Sequence, residues 1–455
     1  MNIKKASIRQ SMIIASLIFG MLFGAGNLIF PVHLGQLAGS NWLIASSGFL
    51  VSGVLLPLMA LLAISITRSN GIYDLALPNG RYYALIFLIL VHATLGPLFA
   101  TPRTATVPYE IGIAPYLSKS TNTWGLLIYS AIFFSLVYIF SNHEGKITTL
   151  IGKVLNPLFL LLLFLIFLLA FMHPLGSGNT AAITASYARH AFSNGFLQGY
   201  NTMDGLAALA FGITIITAIK ELGIKKTRQV SIETAKSGFL GIAGVAVIYL
   251  ALIWLGATSL HQFKLAANGG ITLAQISHHY LGTAGDTILA TLATITCMTS
   301  AMGLVIAFSQ DFHRRFPKIS YRTFLRINCG LSFLFANLGL DQIIAWSTPI
   351  LMFLYPLAIT LIILGLLSPI FKHDRLVYQI TTALTLIPAF FDMLNALPAN
   401  LHDSQLLQTL LGFAQQYFPF FSLGFGWLTF GIAGLILGLI CHVLKVRKRL
   451  GLLSE

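Results

Sequence analysis

Long apolar segments recur along the whole chain of 455 residues. Each has about 20 residues, the length that an α-helix needs to cross the hydrocarbon core of a bilayer. Charged residues make up only 9% of the sequence, against roughly 25% in soluble domains. Because a soluble fold rarely leaves so much apolar surface in water, the sequence predicts a single all-α integral membrane domain over residues 1–455.

The apolar segments predict about twelve membrane-spanning helices. The first six lie at about 11–33, 42–66, 82–112, 123–141, 148–172 and 193–219. The second six lie at about 230–258, 283–310, 323–338, 342–369, 376–397 and 419–444. An even number of spans places both termini on the same side. The outer loop near residues 270–281 is predicted to form a short helix over the vestibule.

The basic residues test this threading, because cytoplasmic loops are enriched in Lys and Arg. With the N-terminus inside, only Lys119, Arg189 and Lys264 of the 27 basic residues fall outside, and Arg103 lies within the third span. All the others fall on the inner side. The threading therefore predicts cytoplasmic termini, and it accounts for the net charge of +14 without a nucleic-acid partner.

Two spans contain residues that interrupt a helix at bilayer depth. The first span carries Phe-Gly-Ala-Gly-Asn-Leu-Ile-Phe-Pro at residues 23–31, and the sixth carries Gly-Tyr-Asn-Thr-Met-Asp-Gly at residues 199–205. Both spans are predicted to open, since Gly destabilises helices and Asn competes for backbone hydrogen bonds. Discontinuous helices 1 and 6 fit a transporter with two inverted five-helix repeats, at about 11–172 and 193–369, and peripheral helices at about 376–444.

Opened backbone at this depth needs a polar cavity, so a ligand site is predicted between the two breaks. Free amides near Asn27 and Leu28 suit a carboxylate, and carbonyls near Gly199 and Tyr200 suit an ammonium, as in an amino acid. Small residues also serve tight helix packing, an alternative that stays open. The predicted substrate-binding residues are Gly24, Ala25, Gly26, Asn27, Gly199, Tyr200, Asn201, Thr202 and Asp204.

Asp204 and Arg103 are ionisable residues inside predicted spans, where insertion scales give about 2.5 to 3.5 kcal/mol for such a charge at a helix centre. Asp204 is expected to polarise the substrate or cation site, or to take up a proton. Arg103 is expected to gate the outer vestibule near Glu110. A structural ion pair or a snorkelling side chain is the alternative.

Other functional classes lack their sequence patterns. The chain has no TVGYG-like filter of a channel and no G-x-x-x-x-G-K-S/T loop of a nucleotide-driven pump. It also lacks the H-E-x-x-H, C-x-x-C and G-x-S-x-G motifs of enzymes. We therefore expect a carrier that is not an enzyme, surrounded by lipid, with no obligate protein partner.

Three strings resemble the signatures of the branched-chain amino acid:cation symporter family. They are FGAGNLIFP at 23–31, GPLFATPRTATVPYEIG at 96–112 and GYNTMDGLAALAFG at 199–212, and the similarity covers essentially the whole chain. The resemblance implies uptake of leucine, isoleucine and valine across a bacterial cytoplasmic membrane with a coupled cation. Sodium is the expected ion. Proton-coupled symport, or a channel-like permease for another small solute, is the alternative.

That family is similar in turn to the sodium-coupled leucine-transporter fold, in which ten core helices form two inverted repeats. The resemblance places the sodium site among oxygen atoms of spans 1 and 8. Without it, Ser and Thr would not indicate a cation site, because their hydroxyls often bond to a carbonyl of their own helix. Leucine transporters carry an Arg where this chain has Phe30, and Arg103 is the expected substitute. The implied ligands are the carbonyls of Gly20, Phe23 and Thr296 and the hydroxyls of Thr299 and Ser300.

Overall fold

The computed structural model describes residues 7–142, 146–224 and 226–449. In this part of the chain every regular element is helical, which confirms the all-α prediction. Among the described residues, eight helices are long and apolar enough to cross a membrane, or nine if one bent pair counts as a single span. The helix α1 and residues Leu158–Met172 of α9 are apolar but shorter, so the number of about twelve spans stays a prediction.

A helix occupies each of the first six predicted segments. Turns of π-helix, at Val51–Leu55 and Thr94–Leu98, join α3 to α4 and α6 to α7. The helices are α1 (Ile8–Leu22), α2 (Gly26–Ala38), α3 (Trp42–Leu50), α4 (Leu56–Thr67), α5 (Ile72–Ala76), α6 (Arg81–Ala93), α7 (Ala100–Gly112), α8 (Lys119–Asn142), α9 (Lys146–Met172), α10 (Ala185–Tyr200) and α11 (Asp204–Glu221).

The second six segments are helical as well. The helices are α12 (Thr227–Ser259), α13 (Gly269–Arg315), α14 (Tyr321–Ala336), α15 (Leu340–Leu367), α16 (Arg375–Asn395), α17 (Gln405–Tyr417) and α18 (Gly426–Arg449). The helix α13 breaks at Gly282, whose φ of +62° favours glycine. Its first part is the short helix predicted near residues 270–281. The helix α17 was not predicted, because its Gln-rich face interrupts the apolar pattern.

A close crossing of α2 and α12 fixes the position of the first break. A side chain at Gly35 would overlap the carbonyl oxygen of Ile253, and one at Gly256 would overlap that of Val32. Small residues of this kind let helix backbones approach each other within a membrane. The crossing also brings Tyr249, about two turns before Gly256 on α12, alongside the start of α2.

Substituting Val for Gly256 is therefore expected to destabilise the protein by about 1–3 kcal/mol, because the added methyl groups have no room at this crossing. The change should lower the melting temperature of the detergent-purified protein, followed by fluorescence-detected size exclusion. Gly330→Val in α14 is the control, since no atom lies within 4 Å of a Cβ built at that position. Equal melting temperatures for the two variants would contradict the close crossing of α2 and α12.

Candidate functional site

The first predicted break lies between α1 and α2. The N–H of Gly24 donates to Asn27 Oδ1 at 2.9 Å, whereas a continuous α-helix would direct it to the carbonyl of Gly20. The N–H of Asn27 donates to the carbonyl of Gly24 at 3.1 Å, where a continuous helix would use the carbonyl of Phe23. The carbonyls of Gly20 and Phe23, two of the cation ligands that the family resemblance implies, have therefore lost their helical donors.

The second break separates α10 from α11, whose axes differ by 43°. The N–H groups of Thr202 and Met203 form tight turns with the carbonyls of Gly199 and Tyr200, at 3.2 and 3.0 Å. Met203 has a φ of +62°, a left-handed conformation that costs free energy for a residue with a side chain. Nothing in the sequence predicts this conformation, because Met is not a residue that favours it.

A buried hydrogen-bond network joins the two breaks. Asn27 Nδ2 donates to Asp204 Oδ2 at 2.8 Å and also to the hydroxyl of Tyr249. The hydroxyl of Tyr249 donates to the same Asp204 oxygen at 2.6 Å. Asn27 and Asp204 are each only 2% exposed. Hydrogen bonds to a charged group are stronger than neutral ones, so this network links the two breaks firmly.

Sequence reasoning missed Tyr249. It is an isolated Tyr in the long apolar helix α12, where aromatic residues mostly pack against neighbouring side chains. A buried Asp204 carboxylate needs hydrogen-bond donors from another span, and this need could have pointed to a residue such as Tyr249. The sequence does not show which span faces Asp204.

A cavity of about 440 Å³ lies where the breaks meet, bounded by α1, α2, α7, α11 and α13. Apolar side chains, among them Leu95, Met203 and Leu304, form much of its wall. A pocket that combines apolar walls with a few polar groups suits a small amphiphilic ligand. The predicted residues that line it are Gly20, Gly24, Ala25, Gly26, Asn27, Arg103, Asn201, Thr202, Asp204, Thr299 and Ser300.

Part of the cavity wall is exposed. Thr214 of α11 and Gln310 of α13 line it and are exposed, as are Gly20 and Gly303. They lie toward the end at which α1 begins and α11 and α13 finish. At the other end, α2 is buried and packs so closely that a side chain at Gly269 would overlap the Ile29 carbonyl. The exposed part of the wall therefore lies away from this closely packed end.

The predicted cation ligands of α13 lie on the wall opposite the first break. The hydroxyls of Thr299 and Ser300 both donate to the carbonyl of Thr296, at 2.7 and 3.3 Å. A Cβ at Gly24 would lie 3.8 Å from Ser300 Oγ, so the break faces this helix directly. Thr296 and Phe23 do not line the cavity. Phe23 precedes Gly24, and the Thr296 carbonyl accepts from Thr299 and Ser300, all of which line it.

The structure corrects the predicted placement of Gly199 and Tyr200. Neither lines the cavity. The ring of Tyr200 stacks on that of Tyr355, with centroids 4.0 Å apart, and a side chain at Gly199 would overlap Ser52 Oγ. Their carbonyls already accept hydrogen bonds from the turn that follows. A sequence indicates where a helix ends, but it does not fix the direction in which the last turn faces.

Arg103 and Glu110 lie apart. Arg103 is 2% exposed, Nη1 donates to the carbonyl of Asn201 at 2.9 Å, and Nη2 donates to Ser347 Oγ. Glu110, about two turns further along α7, lines a second cavity of about 600 Å³ beside the first part of α13. No ion pair joins Arg103 and Glu110 in the described residues. Their gating role stays a prediction.

Replacing Tyr249 by Phe is expected to raise the KM for the predicted amino-acid substrate about tenfold, because Asp204 loses a side-chain donor. The measurement is initial-rate uptake into proteoliposomes that contain equal amounts of protein. Tyr378→Phe is the matched control: its buried hydroxyl donates to the carbonyl of Leu364, away from the cavity. If the Tyr249→Phe protein has the same KM as this control, the network does not contribute to substrate binding.

Sequence comparison matches a family model described as branched-chain amino acid transport protein to residues 7–445. The branched-chain amino acid permease BrnQ of Lactobacillus delbrueckii subsp. lactis is 42% identical, over 93% of this chain and 95% of its own length. BrnQ of Bacillus subtilis is 37% identical, over 98% of this chain and 99% of its own. The match with both relatives covers nearly the full length of each protein.

Structural comparison gives a similar fold in Mhp1, a nucleobase-cation-symport-1 family transporter solved in a closed conformation with bromovinylhydantoin bound. The TM-score is 0.54 and the sequence identity 11%, over 98% of this chain and 94% of Mhp1. At this identity the likeness concerns the fold alone.

Proposed function

The chain belongs to the branched-chain amino acid transport protein family, and on that premise we propose that it carries leucine, isoleucine and valine into the cell by symport with sodium. The observation that supports this most is the meeting of two interrupted helices at one cavity, through Asn27 and Asp204. Interrupted helices at the centre of a transporter supply the backbone groups that bind a charged substrate and its coupling ion.

Asp204 is the proposed partner of the substrate ammonium. Asn27 and Tyr249 both donate to Oδ2 of Asp204, so we assign Oδ1 to the ammonium. The branched side chain would then contact the apolar wall that Leu95, Met203 and neighbouring residues form. A cavity of about 440 Å³ is in the range of small-molecule sites.

Sodium is the proposed coupling ion. The break in α1 frees the carbonyls of Gly20 and Phe23, and the Thr299 and Ser300 hydroxyls lie on the facing wall with the Thr296 carbonyl. Neutral oxygen atoms of this kind, including carbonyls from an unwound helix, coordinate sodium in transporters. The second candidate is proton coupling, which the buried carboxylate of Asp204 favours because it could carry a proton.

The proposed architecture has twelve spans in two inverted repeats, at about 11–172 and 193–369, with α16 and α18 at the periphery and both termini cytoplasmic. The position of the breaks in α1–α2 and α10–α11, the first elements of the two repeats, supports this arrangement. A discrete cavity lined by both breaks supports a carrier with a defined binding site, over a channel-like permease.

The test is uptake of labelled leucine into proteoliposomes under four conditions: no gradient, an inward sodium gradient, an inward proton gradient, and both. We expect accumulation above equilibrium with the sodium gradient alone. Accumulation that needs only the proton gradient would establish the alternative coupling. Equilibration without accumulation under every gradient would instead favour a passive permease.

A further inference from the structure

Arg103 is a buried cation without a carboxylate partner in the described residues. Its guanidinium lies 4.9 Å from the ring centroid of Phe30, and its two terminal nitrogens donate to the Asn201 carbonyl and to Ser347 Oγ. Nε has no partner. A guanidinium has five N–H groups, so these neutral acceptors leave part of its donor capacity unused.

The amides predicted to receive a carboxylate are occupied. The N–H of Asn27 donates to the carbonyl of Gly24 at 3.1 Å, and the N–H of Leu28 donates to the carbonyl of Ala25 at 3.3 Å. These turns use two of the donors that the start of α2 would otherwise offer to an anion. Among the residues that line the cavity, Arg103 is a charged receptor for the negative end of the substrate.

We propose that Arg103 binds the carboxylate of the transported amino acid, an assignment that rests on the proposed function. Arg103 and Asp204 carry opposite charges and line the same cavity, on α7 and at the start of α11. An α-amino acid has a carboxylate and an ammonium on one carbon atom, with no net charge. Its two charged groups complement the two buried side chains, and the fork of Arg suits a carboxylate particularly well.

With this assignment, the other contacts of Arg103 position its guanidinium for the substrate carboxylate. Nη1 binds the carbonyl of Asn201, so the second break holds the guanidinium at the cavity wall. Ser347 on α15 and the ring of Phe30 on α2 fix it from two further sides. Substrate binding at Arg103 would thus act directly on α2, on the second break and on α15.

The experiment compares leucine with leucinamide, which keeps the side chain and the ammonium but lacks the carboxylate. Binding of labelled leucine to the purified protein is measured, with leucinamide as competitor. In the wild-type protein, leucine should bind at least about 100-fold more tightly than leucinamide. In Arg103→Gln, the affinity for leucine should fall by about 30-fold or more, while the affinity for leucinamide changes by less than about threefold. Arg103→Lys should give an intermediate preference.

Arg315→Gln is the matched control, because this Arg also lies over an aromatic ring, 3.7 Å from the centroid of Tyr73, but does not line the cavity. Its preference for leucine should equal that of the wild type. Equal weakening of both ligands in Arg103→Gln would show that Arg103 only supports the break, and would overturn the proposal. So would a wild-type preference below about tenfold, a result that requires no variant to fold. Failure of the wild type to bind leucine at all would instead reject the proposed function.

Discussion

Replacing Asp204 by Asn is expected to lower leucine uptake at least about 100-fold, because loss of one partner from a buried charge pair costs roughly 3–5 kcal/mol. The carboxylate accepts from Asn27 and Tyr249, and it lines the cavity that both breaks form. An amide has nearly the same shape but no charge for an ammonium. The measurement is initial-rate leucine uptake in proteoliposomes.

Asp392→Asn is the control for this substitution. Asp392 is also a fully buried carboxylate within a helix, but it accepts from the N–H groups of Gly426 and Trp427 at the start of α18, away from the cavity. We expect this variant to be less stable and to keep its KM for leucine. Equal uptake by Asp204→Asn and the wild type would remove Asp204 from substrate binding. If Asp204→Asn loses uptake, and a pH gradient drives wild-type uptake while sodium has no effect, Asp204 is assigned the coupled proton.

Replacing both Thr299 and Ser300 by Ala is expected to abolish the stimulation of leucine uptake by sodium. Each single replacement should raise the half-saturating sodium concentration about tenfold or more, because hydrogen-bonding or coordinating contacts to charged groups contribute roughly 1.5–3 kcal/mol. The two hydroxyls lie opposite the opened backbone of Gly24 and share the Thr296 carbonyl. Uptake measured over a range of sodium concentrations at constant ionic strength tests this.

Thr291→Ala is the matched control on the same helix. The Thr291 hydroxyl donates to the carbonyl of Thr287 at 2.8 Å, so it also bonds back to its own helix, but it does not line the cavity. Its sodium dependence should equal that of the wild type. If the double variant also responds to sodium as the wild type does, the cation binds elsewhere or is a proton.

The pattern of helices and their two interruptions was available from the sequence. A run of about 20 apolar residues is helical in lipid because the bilayer offers no water to its backbone groups. The segments around Gly24 and Asn201 open where Gly and Asn weaken a helix, and the structure shows α1 and α10 ending there. These features depend on neighbours in the chain, so local composition was sufficient to predict them.

The partners across the cavity were not available in the same way. Tyr249 contacts Asp204, and Ser347 contacts Arg103, from helices distant in sequence, and nothing in their local composition marks them. Phe30 belongs to the first motif, but its contact with Arg103 was not visible in the sequence. Tyr200, whose carbonyl was predicted to accept from an ammonium, does not line the cavity for a related reason. Its direction depends on the packing of α10 against Tyr355, not on where α10 ends.

By itself, the sequence determined that this chain is a bundle of apolar helices, that two of them are interrupted, and that an acid and a base lie at membrane depth. Only the tertiary structure decided that the interruptions meet, that Asp204 is held by Asn27 and Tyr249, and that no carboxylate among the described residues pairs with Arg103. Helix formation follows from solvent and nearest neighbours. Which charged groups face each other follows from the rotation and crossing of whole helices, which many weak contacts set together.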